Sequence, residues 1–189
     1  GVEHLLSLGH QRIALLSGPE SSVSARARLA AWKAALAEAG LEAAAVAYGD
    51  WSAACGYEKG HALLSAATLP DAILVANDQM ALGVMRACAE KGVTIPGQIS
   101  IVGFDDTADS AWFSPPLTTI RQAFREAGEQ SVEWLLAPAR HEACWQVQLP
   151  VTLISRQSSA RRTPQQADRE DLAQQLRSLA LLAEQLARQ

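Results

Sequence analysis

The sequence predicts an α/β fold built on a doubly wound, mainly parallel sheet. Short runs rich in β-branched and apolar residues alternate with longer stretches of helical period, which is the sign of repeated βαβ units. The strand centres are nearly continuously apolar (Ile13-Ala14-Leu15-Leu16, Ile73-Leu74-Val75, Ile99-Ser100-Ile101-Val102). Strands of that kind are covered on both faces, so helices are expected on both sides. The chain has 189 residues, and a domain of that size buries roughly 70% of its unfolded surface, enough to stand without metal or disulfide staples.

The elements follow in order. The start, Gly1-Val2-Glu3-His4-Leu5-Leu6, reads as an amphipathic helix with no leader before it, as in a piece cut from a longer protein. Strands are expected at 12–17, 45–48, 72–76 and 99–104. Between the first two, Ala25, Leu29, Trp32, Leu36 and Ala39 recur at spacings of four and three, with Ser21 or Ser22 as N-cap and Gly40 beyond the end; this predicts a helix over 22–39. Helices over 52–67 and 78–91 each open on a capping Ser or Asp, and a further one over 121–136 precedes Pro138. A last strand signal over 147–154 is interrupted by Pro150, which suggests a crossing between lobes rather than a central strand.

The expected organisation is a lobe over 1–120, a segment over 121–154 that crosses into part of a second lobe and back, a linker over 155–168 and a terminal helix over 169–189. The linker lacks apolar periodicity and reads as a solvated tether, although Arg156, Arg161 and Arg162 give it some basic character. In the tail, Leu172, Leu176, Leu179, Ala183 and Leu186 form the a/d seam of a short coiled coil, which needs a partner surface; self-association of tails is expected.

Composition excludes several classes. With 16 Lys+Arg against 20 Asp+Glu the net charge is −4, so no global positive field collects phosphate backbones. An odd count of 3 Cys (Cys55, Cys88, Cys144) without a Cys-x-x-Cys pair suits a reducing cytoplasm. No run approaches the ~20 apolar residues of a membrane span, and no membrane partner is expected.

Open parallel sheets hold ligands at the carboxyl ends of their strands. There the sequence places Ser17-Gly18-Pro19, Gly49-Asp50-Trp51-Ser52, Asn77-Asp78-Gln79 and Asp105-Asp106-Thr107. Neither Gly-x-Gly-x-x-Gly nor a P-loop occurs, so no nucleotide cofactor, nor any other, is expected. An uncharged polyhydroxylated ligand fits better: a carboxylate (Asp105), an amide (Asn77) and a guanidinium fork (Arg28) hold hydroxyls, while a flat ring (Trp51) covers the apolar face of a sugar. Each has a plainer reading. Arg28 is equally a surface arginine, Trp51 a hydrophobic staple, Asn77 and Asp78 cap and turn residues. Asp105-Asp106 after an apolar strand also fits an Mg²⁺ or phosphoribosyl enzyme, but the bulky continuation Ala111-Trp112-Phe113 lacks a phosphate cradle. No nucleophile stands with a base, and the four His show no metal-ligand spacing. Trp112 and Phe113, two large aromatics in a Pro-terminated loop, either tuck beneath it or meet another subunit, the latter favoured.

Four runs carry a resemblance: Ser22-Val23-Ser24-Ala25-Arg26 with Arg28-Leu29-Ala30; Gly49-Asp50-Trp51-Ser52-Ala53; Leu74-Val75-Ala76-Asn77-Asp78-Gln79-Met80-Ala81-Leu82-Gly83; and Pro115-Pro116-Leu117-Thr118-Thr119-Ile120. Together they resemble the bacterial transcriptional repressors that join a DNA-reading headpiece to a core like the periplasmic sugar-binding proteins. The resemblance implies the C-terminal lobe of such a core, with the headpiece and most of the other lobe lying before Gly1. It implies that Arg28, Asn77 and Asp105 hydrogen-bond the hydroxyls of a galactoside inducer, that Trp51 packs on its ring, and that Ser24, Gln122 and Phe124 complete the pocket. It further implies a dimer face at Leu82 and Phe113, tetramers through the leucine tail, operator DNA reached only through the headpiece, and no catalysis. A periplasmic sugar carrier of the same fold is the rival within that architecture; the leucine tail speaks against it.

Overall fold

In the computed structural model of the chain, which describes residues 1–136 and 147–163, four parallel strands form the expected sheet. These are β1 (Ile13–Ser17), β2 (Ala45–Tyr48), β3 (Ala72–Val75) and β4 (Ser100–Val102), in the order β2-β1-β3-β4. Every residue of β1, β3 and β4 is buried, and β2 forms the half-exposed edge. Helices α1 (Val2–Ser7) and α2 (Val23–Glu38) contact each other, as do α3 (Ala53–Leu63) and α4 (Asp78–Glu90). Right-handed crossovers from a sheet of this order put the two pairs on opposite faces.

The helices start where the sequence gives them side-chain caps. Ser22 accepts the Ala25 N–H, Ser52 that of Cys55 and Asn77 that of Met80. On α2 the stripe Ala25, Leu29, Trp32 and Leu36 is the buried one. Between α3 and α4 the approach is so close that a Cβ on Gly83 would lie 2.0 Å from the Ala53 carbonyl oxygen; only hydrogen fits there.

Two expected elements differ. The fourth strand leaves its partner early, because the Gly103 and Asp105 N–H groups donate to the carbonyls of Thr118 and Ile120. The helix expected from 121 begins only at Phe124: the β-branched run before it forms β5 (Thr119–Arg121), which pairs antiparallel with β6 (Thr152–Ile154), and α5 (Phe124–Leu136) follows. None of α5 is buried, and Phe124, Val132, Leu135 and Leu136 are exposed on it.

The linker expected from 155 requires correction over 155–163. That stretch is packed along the sheet as a strap. Ser158 is fully buried; its hydroxyl donates to the Ile101 carbonyl (2.6 Å) and accepts the Thr118 N–H (2.7 Å), while its own carbonyl accepts the Ile101 N–H. Arg162 pairs with the nearly buried Asp71 at 3.1 Å, and its N–H donates to the Leu8 carbonyl. The basic residues Arg156 and Arg162 therefore serve carboxylates of the fold. Sequence period misses such a strap because polar and backbone groups hold it, not an apolar stripe. His10 is buried beside the strap, with Nε2 3.0 Å from the Ala160 carbonyl and Nδ1 3.6 Å from Asp71, beyond hydrogen-bond reach. Residues 164–168, Leu172, Leu176, Leu179, Ala183 and Leu186 of the tail, and Cys144, lie outside the described residues.

If the strap is part of the fold, Ser158→Ala leaves the buried Thr118 N–H without a partner and costs about 1–3 kcal/mol. Thermal unfolding of the full chain is expected to show Tm lowered by roughly 2–12 °C; an unchanged Tm would mean that 155–163 contributes nothing.

Candidate ligand-binding site at the carboxyl edge of the sheet

Strand order reverses between β1 and β3, and at such a switch point the loops diverge and leave a crevice. Among the described residues, three non-glycine positions have positive φ: Trp51 (77°), Asp105 (118°) and Asp106 (57°). All three follow strands at this edge. Such backbone costs about 1–3 kcal/mol per residue and persists only where the surroundings enforce it.

The surroundings are specific. The Trp51 ring lies across the end of β1, where a Cβ on Gly18 would come within 2.2 Å of it. Its carbonyl accepts a bond from Asn77 Nδ2 at 3.0 Å. Asn77 Oδ1 caps α4 through the Met80 N–H at 2.9 Å, so the amide is both a cap and a brace, with one N–H and one lone pair to spare. From α2, Arg28 donates to the Ala76 carbonyl at the end of β3 and lies over the Phe104 ring with Cζ 3.6 Å from its centroid. Burial pushes the Arg28 pKa down, and the Asp105 carboxylate opposes that. Asp105 Oδ1 accepts from Gln122 Nε2 at 2.7 Å. Burial raises the Asp105 pKa, against the pull of Gln122 and Arg28.

Thus Arg28, Asn77, Asp105, Trp51 and Gln122 fall on one connected edge. Ser24 is exposed in the first turn of α2, its hydroxyl 3.0 Å from that of Ser22. Phe124 opens α5 and is 61% exposed. Neither joins the network. A hollow of about 240 Å³ opens beside this edge, lined by Ser17, Pro19 and Glu20 after β1, by Leu29 and Lys33 of α2 and by Tyr48 at the end of β2; none of Arg28, Trp51, Asn77, Asp105 and Gln122 lines it. Sequence reasoning missed the Ala76 carbonyl, Gly18 and Phe104. A signal for the last was present: an aromatic side chain stands immediately before the acid that ends the fourth strand.

Asp106 is occupied differently. Its Oδ2 accepts from Arg121 Nε and its Oδ1 from Arg156, both at 2.6 Å. One carboxylate thereby ties β5, which leaves the sheet, to the strap that follows β6. A cation at Asp105-Asp106 would have to displace two guanidinium groups. The aromatic loop divides: Trp112 is 86% exposed, whereas Phe113 is half-buried against the core. Leu82 is exposed on α4.

Residues 2–159 match the model of the periplasmic binding protein-like domain. The chain belongs to that family. Within the periplasmic binding protein-like domain family it is 49% identical to the lactose operon repressor of Escherichia coli K12, an alignment covering 95% of this chain and 50% of that protein. It is 45% identical to the lactose operon repressor of Klebsiella pneumoniae, over 98% of this chain and 51% of the relative. A crystal structure of the lac repressor dimer bound to operator and the anti-inducer ONPF superposes with a TM-score of 0.81 at 50% identity, covering 85% of this chain and 49% of that one. The chain spans about half the length of the curated relatives it matches. Among the described residues, no helix is long and apolar enough to cross a membrane.

Burial works to raise the Asp106 pKa, but the bonds from Arg156 and Arg121 outweigh it and hold the carboxyl below its ordinary value. A depressed folded-state pKa contributes stability that is present above the unfolded value of ~3.9 and is lost as pH falls through the folded value. Asp106→Asn is therefore expected to lower Tm at pH 7 while flattening its decline in acid. Parallel acid-unfolding curves for variant and parent would show that the carboxylate carries no such linkage.

Proposed function

We propose that this chain is the effector-binding and oligomerising part of a lactose-operon transcriptional repressor, and that the carboxyl edge of its sheet holds a galactoside inducer. One observation supports this most: the four side chains of sugar-binding type, Arg28, Trp51, Asn77 and Asp105, stand at the carboxyl ends of neighbouring strands, tied there by bonds to the Ala76 and Trp51 carbonyls and to Gln122. In this reading the Asp105 carboxylate accepts from one hydroxyl, Arg28 donates to others, Asn77 does both, and the Trp51 ring covers the apolar face of the pyranose. Gln122 moves with the ligand, while Ser24 and Phe124 close the rim. The group set is suited to holding a neutral molecule, and no reaction is assigned to it.

Galactoside binding would favour one arrangement of the lobe over 1–120 against the part entered by 121–154. A DNA-reading headpiece coupled to that arrangement would lose operator affinity. Because the coupling is reciprocal, operator would weaken inducer binding. Dimers would form through the surface bearing Leu82 and Phe113, and tetramers through Leu172, Leu176, Leu179 and Leu186. Operator is met in the cytoplasm, which is where this reading places the protein.

The test is titration calorimetry of the 189-residue chain with isopropyl thiogalactoside. One wall of a two-lobed pocket buries only part of the ligand, so a Kd on the order of 1 mM is expected. Asp105→Ala removes hydrogen bonds to a charged group and is expected to weaken binding about 10- to 100-fold. A thermal shift with Mg²⁺ or ribose diphosphate, and none with any galactoside, would overturn the reading in favour of a strand-end enzyme.

A further inference from the structure

We propose that Phe104 is a positioning residue of this site, setting the orientation of the Arg28 guanidinium and through it the preference for the ligand hydroxyl that Arg28 meets; for its ligand, the inference rests on the galactoside reading. Arg28 has five N–H donors in a rigid plane, and a guanidinium on a flexible stem otherwise samples many directions. Three elements remove that freedom. Helix α2 supplies the stem, the carbonyl of Ala76 at the end of β3 receives one terminal nitrogen, and the Phe104 ring beyond β4 supports the face of the group, with Cζ 3.6 Å from the centroid.

A hydrogen bond to one nitrogen leaves the plane free to rotate about it. The ring fixes the plane itself, because a planar cation gains most when it lies parallel over the π face. With one face on the ring and one nitrogen on the carbonyl, the plane and the rotation of the group are both set, and with them the directions of the remaining donors. Asp105, the next residue in the chain, adds a negative charge that attracts the same guanidinium. The positive φ of Asp105 and Asp106 turns the chain sharply after Phe104. The ring and the carboxylate of consecutive residues can thereby both address Arg28. The Phe104 ring has no polar atom and no claim on a hydroxyl, so its effect passes through Arg28.

Two variants and two readouts decide the matter. In ¹H–¹⁵N spectra of the full chain, the side-chain N–H signals of Arg28 are expected to show the upfield displacement of protons held over an aromatic ring. Phe104→Leu abolishes that displacement and Phe104→Tyr retains it. In galactoside titrations Phe104→Leu weakens binding about 2- to 30-fold, the range of a cation–π contact, while Phe104→Tyr binds within twofold of the parent. Across monodeoxy galactosides, the penalty for losing the hydroxyl that Arg28 meets shrinks selectively in Phe104→Leu. An Arg28 signal indifferent to Phe104→Leu, or an equal loss for every monodeoxy sugar, would overturn the proposal. If the parent chain takes up no galactoside while the Arg28 signal responds as described, the sugar reading fails and the positioning role stands.

Discussion

Burial of the central strands on both faces is the constraint from which the rest follows. β1, β3 and β4 expose nothing to water, so side chains that need hydrogen bonds collect where the strands end. At those ends the protein still has to satisfy them, and Asp78 shows how. It is fully buried at the first turn of α4, with Oδ1 accepting the Thr119 hydroxyl at 2.6 Å and Oδ2 the Thr107 N–H at 2.9 Å. Burial raises its pKa, and these bonds pull the other way. A negative charge there is also favoured by the helix dipole. The result is a polar rivet joining α4, the loop after β4 and β5, without which the edge would have no fixed frame.

The two ends of the sheet use carboxylates for different purposes. At the amino end, Asp71 accepts the backbone N–H groups of Gln11 and Arg12 and the guanidinium of Arg162. Burial works to raise its pKa, but the contacts of His10, Gln11 and Arg12 outweigh it and keep the carboxyl below its ordinary value. All its capacity goes into the fold. At the carboxyl end, Asp105 gives Gln122 a single bond and sits in a backbone conformation that the chain maintains at a cost. An acid held in a costly geometry, with capacity left over, is what distinguishes a site from a structural clasp.

What the sequence discloses depends on whether the cause is local. Caps at Ser22 and Ser52, the stripe of α2 and the apolar strand centres are decided within one turn or one strand, and they are legible; on α4 the cap is Asn77, because the expected Asp78 is taken up by Thr107 and Thr119. The strap over 155–163 is not, because its hold is a buried serine hydroxyl and two arginines whose partners lie far away in the chain. Arg28 illustrates both sides. Its residue type and its place on the flank of α2 make it a candidate, yet helix geometry alone allows a surface arginine equally well. What settles its direction is a ring and a carbonyl from two other elements, and no period in the sequence carries that information. Trp51 and Asp105 likewise needed the backbone: their positive φ follows from close approach across the edge, which residue identities do not encode.

Asp105 and Asp106 are adjacent, and because the chain there runs parallel to the segment over 118–121 they grip consecutive residues of it and beyond, Gln122 and Arg121. Asp106 also holds Arg156 of the strap. In the galactoside reading, a hydroxyl that takes a share of the Asp105 carboxylate competes with Gln122, while Arg121 remains anchored one residue earlier. The segment then has a fixed point and a movable point one peptide apart, so a small exchange of hydrogen bonds at the ligand becomes a rotation of everything carried beyond residue 122. In that reading, effector and lobe arrangement would be linked by the covalent neighbourhood of two carboxylates.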